Sequence, residues 1–237
     1  ILFVDTFNRY YEPENVRSAI NVLKSTGYFP FIPKTTKKNK QLCCGRTFLS
    51  NGLVEEAKIE AENILATFYP YLENGISVVG LEPSCILSFR DELPSLIQTN
   101  HAQLLKNNSY TFEELLVKDL KKLNFKKFNG NILLHGHCHQ KAFDVVKPIE
   151  QILKQVPDLT FETIETSCCG MAGGFGYDKS TYDISMKIAN DKLFPAIKKN
   201  NSNTKIIADG TSCRCQIKDG LNKEAIHLAK FLDKNVI

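Results

Sequence analysis

Apolar residues recur along the chain in two alternating patterns, short strand-like runs and longer helical stretches. In the first half, strands are predicted over 1–5, 28–33 and 76–80, the second weakened by its prolines, and helices over 13–26, 47–69 and 84–97. Strands that alternate with helices are typical of an α/β fold with a mainly parallel sheet.

The second half repeats this order of elements. Strands are predicted over 131–136, 159–165 and 205–210, and helices over 140–155 and 180–199, with short helices to the end. A vicinal cysteine pair occurs in each half, and 125 positions separate Cys43 from Cys168. We therefore predict two pseudo-symmetric repeats, over 1–99 and 131–237, joined by a helical connector over 100–130.

Composition places the chain among ordinary globular proteins. Of its 237 residues 43% are hydrophobic and 24% charged, and no apolar run is long enough to span a bilayer. The opening run ILFVDTF lacks a signal-peptide pattern and an initiator Met, so we expect a cytoplasmic fragment. The net charge of +4 comes from scattered lysines, densest over 34–40 and 121–127. Each cluster is typical of a solvated loop or helix end, and nucleic-acid binding is not expected.

Eight cysteines are the unusual feature of the composition. Adjacent cysteines rarely bridge each other, because a disulfide needs a Cα separation that a trans dipeptide does not provide. Without a secretory signal, vicinal thiols indicate metal ligands or redox groups in a reducing compartment.

Four cysteines of the second half each follow a predicted strand: Cys138, Cys168, Cys169 and Cys213. The carboxyl ends of parallel strands meet at one edge of a sheet, where ligands collect, so these thiols can converge. The amide groups at the start of each following helix would lower the thiol pKa. Gly170 and the small residues after it would let further amides approach a metal-bound sulfur, or serve only the turn.

Four thiolates fit either a [4Fe–4S] cluster or a structural zinc ion. Zinc ribbons usually take their ligands from short Cys-x-x-Cys knuckles, whereas 29 residues separate Cys138 from Cys168 and 43 separate Cys169 from Cys213. The spacing therefore disfavours a zinc knuckle.

Several segments of the sequence resemble a known protein family. The pattern Cys138…Cys168-Cys169-Gly170…Cys213 resembles the CCG motif of cysteine-rich domains, as in the cysteine-rich subunits of heterodisulfide reductases and the iron–sulfur subunits of glycolate oxidases. Six blocks in order (VDTFNRYYEPE, LCCGRTFLSNGLVEEA, GLEPSCILSFRDELP, HGHCHQKAF, SCCGMAGGFGY, ADGTSCRCQI) resemble the C-terminal region of large FAD-linked D-lactate/glycolate/2-hydroxyglutarate dehydrogenases. The resemblance implies a cluster on the four cysteines.

The chain departs from the family's Cys-x-x-Cys ending, because Glu82 and Gly210 replace the first cysteine of each pair. Four motif cysteines remain in the second repeat, with Cys215 as a fifth ligand or, preferably, a spare thiol. The first repeat has approximately Phe7 in place of Cys138. It keeps three cysteines, which could hold zinc with Glu82 or water, hold a labile cluster, or stay reduced: Cys43, Cys44 and Cys85.

Residues beside the cysteines are candidates for supporting roles. His137 and His139 flank Cys138, and we expect them to hydrogen-bond to a cluster sulfur, or simply to pack. Arg46 and Arg214 could each balance thiolate charge, contact an anionic substrate or form a surface salt bridge, and the salt bridge is preferred for Arg214. Arg9, Tyr10 and Tyr11 could line a crevice at the sheet end of the first repeat, although packing in the core or an interface is the preferred expectation. No nucleotide-binding or hydrolase motif is present.

The resemblance implies a function in electron transfer. A reduced FAD in an upstream flavin domain, together with ferredoxin-like domains or subunits, would pass electrons to a [4Fe–4S] cluster here and then to a quinone or another acceptor. The parent reaction would oxidise a 2-hydroxy acid, at the inner face of the membrane without a span. Two alternatives stay open, a zinc-binding or metal-free docking domain and a thiol–disulfide catalyst that uses Cys168 and Cys169.

Overall fold

In the computed structural model, residues 1–35, 41–201 and 203–237 are described, and they divide into two units, 1–118 and 119–237. Lys37, Lys38 and Lys40 of the predicted lysine cluster lie outside the described residues.

The first unit combines three short strands with eight helices among its described residues. In chain order they are β1 Leu2–Phe3, α1 Thr6–Tyr10, α2 Pro13–Ser25, α3 Arg46–Ser50, α4 Val54–Leu72, β2 Val78–Gly80, α5 Pro83–Ser88, α6 Glu92–Leu96, α7 Asn100–Asn108, β3 Ser109–Thr111 and α8 Phe112–Lys118.

The sheet of the first unit is parallel, with strand order β1-β2-β3. Leu2 lies opposite Val79, and Val79 lies opposite Tyr110. Helices pack on this sheet through a group of aromatic rings, in which the Phe3 and Phe89 centroids are 4.9 Å apart and Phe68 meets both edge-on. Burial of three phenylalanines gives this small unit much of its hydrophobic stabilisation.

Several boundaries in the first unit differ from the predicted ones. Residues 28–33 form no strand, because Pro30 and Pro33 have no N–H to donate, although the Phe31 carbonyl accepts from the Leu2 amide at 2.8 Å. The predicted helix 47–69 is two helices that Gly52 separates at φ +74°, and the predicted helix 84–97 breaks between α5 and α6. Strand β3 lies where a wholly helical connector was expected.

The second unit has four strands and six α-helices in its described part. They are β4 Gly130–Leu134, α9 Cys138–Ala142, α10 Lys147–Leu153, β5 Leu159–Thr163, α11 Tyr182–Asp191, α12 Leu193–Lys199, β6 Lys205–Ile207, α13 Thr211–Leu221, β7 Ala225–Ile226 and α14 Leu228–Asn235, with 3-10 turns at Leu120–Lys122 and Gly173–Gly176.

The four strands form a parallel sheet of order β5-β4-β6-β7. Leu133 lies opposite Glu162 on one side and Ile206 on the other, so β4 is central. The prediction of an α/β fold with mainly parallel sheets flanked by helices is therefore confirmed. In both sheets, three neighbouring strands lie side by side in the order in which they occur along the chain, β1-β2-β3 in the first and β4-β6-β7 in the second.

Two predicted helices of the second unit are also divided. The segment 140–155 turns at Asp144, whose φ is +55°, before α10 starts with Pro148 in its first turn. The segment 180–199 changes direction at Lys192. In the described residues, every helix is too short or too polar to cross a bilayer.

Candidate metal centre

The strands of the second unit deliver its cysteines to one edge of the sheet. Chain order explains the convergence: β4 ends at Leu134 and α9 begins on Cys138, while Cys213 is the third residue of the helix that follows β6. Cys168 and Cys169 lie in the loop after β5. Because all three strands are parallel and adjacent, these segments leave the sheet side by side.

The structure brings the four predicted thiols together as a connected group. Cys138 hydrogen-bonds to Cys168, Cys168 to Cys169, and Cys169 to Cys213. Cys213 and Cys169 are 1% and 4% exposed, whereas Cys138 and Cys168 are half-buried. The group thus has a dry inner end and an outer end near the surface. Cys215 lies beside the Tyr177 hydroxyl instead.

Local hydrogen bonds position the first of these cysteines. His137 is the N-cap of α9, and its Nδ1 accepts from the His139 amide at 3.2 Å. Gln140 completes a capping box, because its Oε1 accepts from the His137 amide at 2.9 Å. Two otherwise unpaired amides are satisfied in this way, which fixes the direction of α9 and of Cys138.

The buried Arg214 side chain positions the turn that precedes Cys213. Its Nη1 donates to the Ala208 and Asp209 carbonyls, both at 2.7 Å, and its Nη2 to Thr211 Oγ1 at 3.0 Å. The expectation of a surface salt bridge is wrong, because this side chain is buried. It braces the turn between β6 and α13, which places Cys213.

Gly170 is required by its own geometry. Its φ is +93°, and a Cβ there would lie 2.3 Å from the Ser185 carbonyl oxygen. This conformation lets the Gly170 amide donate to Cys168 Sγ at 3.3 Å. Gly45 in the first unit repeats the arrangement, with φ +79° and its amide 3.5 Å from Cys43 Sγ.

Gly210 occupies the position of the missing family cysteine. A Cβ at this position would lie 2.3 Å from His137 Cδ2 and 3.1 Å from His137 Nε2. The imidazole therefore fills the space that a side chain at position 210 would take, and it lies close to the thiols. His139 is on the outer side, with Nδ1 3.6 Å from Cys138 Sγ.

The thiols of the second unit divide into two with a lowered pKa and two with a raised one. Hydrogen bonds from Cys138 and Cys169 and from the Gly170 amide lower the pKa of Cys168 to about 2. The hydrogen bond from Cys169 and the nearby His135 and His137 rings lower the pKa of Cys213. Hydrogen bonds to neighbouring sulfurs, together with burial, raise the pKa of Cys138 and of Cys169. These contacts therefore favour the thiolate form at Cys168 and Cys213.

Three further residues approach this group, although sequence reasoning assigns them no role. A ring nitrogen of His135 lies within 4.8 Å of Cys169 Sγ and Cys213 Sγ. Thr166 Oγ1 contacts both His135 and Lys141. Burial lowers the pKa of Lys141, while the charge of the thiols raises it. His135 and Lys141 belong to the HGHCHQK segment around Cys138, so the sequence places them near that thiol. Nothing in the sequence shows that Thr166 contacts them.

The three cysteines of the first unit also meet, in different surroundings. Cys44 Sγ lies 3.1 Å from Cys85 Sγ, and Cys43 hydrogen-bonds to Cys44. Structurally, Thr6 rather than Phe7 is the counterpart of Cys138, because Asp5 caps α1 as His137 caps α9. A fourth thiol is therefore missing at that corner.

Carboxylates rather than cations surround the first group. Although Cys44 donates to Cys85, burial together with Asp5 and Glu82 raises the pKa of Cys85 to about 11. Its hydrogen bond to Cys44 and its burial raise the pKa of Cys43. Burial and the charge of Glu82 raise the pKa of Asp5 itself. These thiols consequently stay protonated at neutral pH.

The side chains of the other candidate residues make contacts elsewhere. Arg46 pairs with Glu92, which is the salt-bridge alternative. Arg9 Nη2 donates to the Val4 carbonyl at 3.3 Å. Core packing is wrong for Tyr10 and Tyr11, which are 64% and 73% exposed.

The residues present fit a four-thiolate cluster. Four sulfurs converge from three segments, two of them have a lowered pKa, and an amide N–H and two imidazoles lie beside them. The buried His135 Nε2 has no hydrogen-bond partner within the described residues, as expected of a donor that faces a bound group.

An α/β unit with four convergent thiols at its strand ends defines a cysteine-rich ligand domain. Residues 132–218 match the CCG family of cysteine-rich domains, and this match confirms the predicted resemblance.

Curated relatives extend the similarity to the rest of the chain. One of the subunits of the anaerobic glycerol-3-phosphate dehydrogenase of Escherichia coli K12 is 25% identical over 91% of this chain and 53% of its own length. Lactate utilization protein A 2 of Bacillus cereus is 24% identical over 99% and 98%. An uncharacterized iron–sulfur protein of Methanocaldococcus jannaschii is 28% identical over 67% and 29%. The chain thus spans about half of the first relative and nearly all of the second.

Proposed function

We propose that this chain holds a [4Fe–4S] cluster on Cys138, Cys168, Cys169 and Cys213 and transfers electrons within an oxidoreductase. The observation that carries the proposal is the contact between four thiols from three separate segments, two of which have a lowered pKa. When bound, such a cluster supplies one-electron oxidation and reduction.

The residues of the second unit have distinct parts in this function. The four thiolates hold the group, and the Gly170 amide donates to the sulfur of Cys168. The buried Cys169 and Cys213 exclude water at the inner end, while the half-buried Cys138 and Cys168 leave an edge close to the surface. Electrons would enter or leave at that edge, where a partner can approach.

The relatives support a place in a dehydrogenase. One is named as a dehydrogenase subunit, one as a lactate utilization protein and one as an iron–sulfur protein. We propose that a partner subunit or domain with FAD oxidises a 2-hydroxy acid, and that ferredoxin-like centres relay its electrons to this chain. A quinone or another acceptor would receive them, with the protein in the cytoplasm and peripheral to the membrane.

Metal analysis of the anaerobically purified chain tests the ligand set. We expect iron, sulfide and an EPR signal after reduction, lost in Cys138→Ser and Cys213→Ser because three thiolates hold a cubane poorly. Cys215→Ser is the matched control and should keep its iron, since that thiol lies beside Tyr177. Zinc without iron in strictly anoxic protein, or full iron content in Cys138→Ser, would contradict the proposal.

The first unit favours a dication over a cluster. Asp5 and Glu82 make its surroundings anionic, and a cluster with four thiolates is itself an anion. Zinc would replace the protons of Cys43, Cys44 and Cys85, with Glu82 as an oxygen ligand. Cys85→Ser should then lower the zinc content and leave iron unchanged. Zinc absent from freshly purified wild type would show that these cysteines are reduced thiols.

Thiol–disulfide chemistry is a second candidate, which the low pKa of Cys168 favours. In the metal-free chain Cys168 would attack a small disulfide and release one small thiol. Cys169 would then release the second small thiol by closing a Cys168–Cys169 disulfide, the strained bond that adjacent cysteines rarely form. Reduction that persists in Cys169→Ser, or that is absent from the wild type, would remove this candidate.

A further inference from the structure

His135 is the buried residue next to the thiols that the ligand set does not use. It follows β4 directly, is 1% exposed, and its amide donates to the Ile207 carbonyl at 2.8 Å. A ring nitrogen lies within 4.8 Å of Cys169 Sγ and Cys213 Sγ. The backbone of the central strand therefore fixes where this ring sits.

Thr166 favours one position of the proton on the His135 ring. Its Oγ1 lies 3.2 Å from His135 Nδ1 and 2.9 Å from Lys141 Nζ. An ammonium group can only donate, whereas a hydroxyl group has one hydrogen to give and two lone pairs that accept. Thr166 Oγ1 accepts from Lys141, which leaves its hydrogen for the other nitrogen that it contacts, His135 Nδ1. In the tautomer that suits this arrangement, Nδ1 accepts and Nε2 carries the ring proton.

Lys141 is itself held in place by this loop. Its Nζ donates to the Thr166 carbonyl at 2.5 Å and reaches the Ser167 carbonyl at 3.4 Å. The Lys141 ammonium group thus hydrogen-bonds to both the backbone carbonyl and the hydroxyl of Thr166, two residues before Cys168. The order of donors runs from Lys141 through Thr166 to His135.

Nε2 of His135 is buried and no oxygen or nitrogen acceptor of the described residues hydrogen-bonds to it, whereas the Cys213 sulfur lies within 4.8 Å of a ring nitrogen. Nδ1 faces Thr166, so Nε2 is the nitrogen on the side of the two thiols. A buried N–H without a partner is costly, which is a reason to look for the acceptor that it meets. The sulfur of Cys213 is a suitable acceptor, because it lies within 4.8 Å of a His135 ring nitrogen and a cysteine that holds a cluster does so as a thiolate.

We propose that Lys141 and Thr166 position His135 so that its Nε2–H donates to the sulfur of Cys213 and raises the reduction potential of the cluster. The inference rests on the function proposed above. An N–H donor withdraws charge from a ligand sulfur, and the reduced state gains more from this than the oxidised state because it carries one more negative charge. His135, Thr166 and Lys141 are positioning residues and touch no electron partner.

An EPR-monitored redox titration of the anaerobically purified chain tests this chain of donors, with iron content measured in each sample. His135→Leu, Thr166→Val and Lys141→Met should each shift the midpoint to a lower potential. Thr166→Val is the decisive variant, since it keeps the β-branched shape and removes no charge. His135→Gln and Thr166→Ser keep an N–H or a hydroxyl and should restore most of the wild-type midpoint.

Matched controls come from the same unit. Thr163→Val removes a hydroxyl that donates to Glu150, and Lys147→Met removes an ammonium that pairs with Asp144. Both should leave the midpoint unchanged. A Thr166→Val midpoint equal to that of the wild type would overturn the inference. So would a strong nitrogen coupling in the EPR spectrum that is lost in His135→Leu, because His135 would then be a ligand.

The two levels of the proposal fail in different ways. A wild type that takes up no iron overturns the proposed function, and this inference with it. A wild type with a normal cluster, together with Thr166→Val and Lys141→Met at unchanged potentials, overturns only the inference. If circular dichroism shows that His135→Leu does not fold, the midpoint potentials of Thr166→Val and Thr166→Ser still test the inference.

Discussion

At the scale of single residues, Gly170 joins the backbone of the second unit to its thiols. The φ of +93° and the Ser185 carbonyl, 2.3 Å from where a Cβ would lie, both require glycine. The same conformation points the amide at Cys168. Stability and the environment of the metal therefore depend on one residue.

Gly170→Ala should lower the free energy of unfolding of the reduced, metal-free chain by about 1 to 3 kcal/mol, because the methyl group meets a fixed backbone oxygen. Urea unfolding measures it. Gly174→Ala is the control, since no atom lies within 4 Å of its added Cβ. An equal loss in both variants would show that the effect is general to glycine in this loop.

The sequence shows which residues converge at this site, but not which contacts hold them. Cys138 and Cys213 are separated by many residues, yet parallel strands bring them together, and that rule needs only the alternation of elements. The contact of Thr166 with His135 depends on a loop path after β5 that no periodicity encodes. Arg214 was mispredicted for the same reason, because its carbonyl partners are visible only in the folded turn.

At the scale of elements, Asp209 connects β6 to two helices. Its Oδ1 accepts from the Leu228 amide at 2.8 Å, at the start of α14, and its Oδ2 accepts from Gln140 at 3.2 Å on α9. His227 Nδ1 lies 3.6 Å from Oδ1. The carboxylate thereby ties the helix of Cys138 to the end of the strand that precedes Cys213.

Asp209→Ala should cost about 2 to 4 kcal/mol of unfolding free energy, because it leaves a buried amide and a buried side-chain N–H without an acceptor. Thermal unfolding of the metal-free chain measures the loss. Asp219→Ala is the control, since its carboxylate is exposed and accepts from the Tyr177 hydroxyl, which is not buried with it. A similar loss in both variants would contradict a special role for the Asp209 network.

Helix existence was predictable, whereas helix continuity was not. Apolar periodicity continues across Gly52 and across Asp144, so both segments resemble single helices in sequence. The breaks come from left-handed residues, with φ +74° at Gly52 and +55° at Asp144. At each break one helix ends and another begins. The order β1-β2-β3 has a counterpart in β4-β6-β7, which supports the predicted duplication, although the second sheet has β5 in addition. The duplication stays a prediction.

At the scale of the whole molecule, the two cysteine groups differ in electrostatics more than in architecture. Both follow parallel strands and both have a glycine amide beside the first cysteine of the pair. In the second unit, imidazoles help to lower a thiol pKa, whereas in the first, Asp5 and Glu82 help to raise one. One arrangement thus provides thiolates and the other provides neutral thiols.

Alkylation of the reduced, metal-free chain should expose this difference. Cys168 and Cys43 are both half-buried, so access is similar, but the pKa of Cys168 is lowered to about 2 and that of Cys43 is raised. Only the thiolate reacts. Between pH 5 and 9, roughly the range where cysteine reagents are usable, the labelling rate of Cys168 should be flat, because it is already ionised. The rate of Cys43 should rise about tenfold per pH unit, since its ionised fraction does. Peptide mass spectrometry after timed quenching reads both rates in one sample. Parallel pH profiles at the two sites would show that the surroundings of the two cysteine groups do not set their charge.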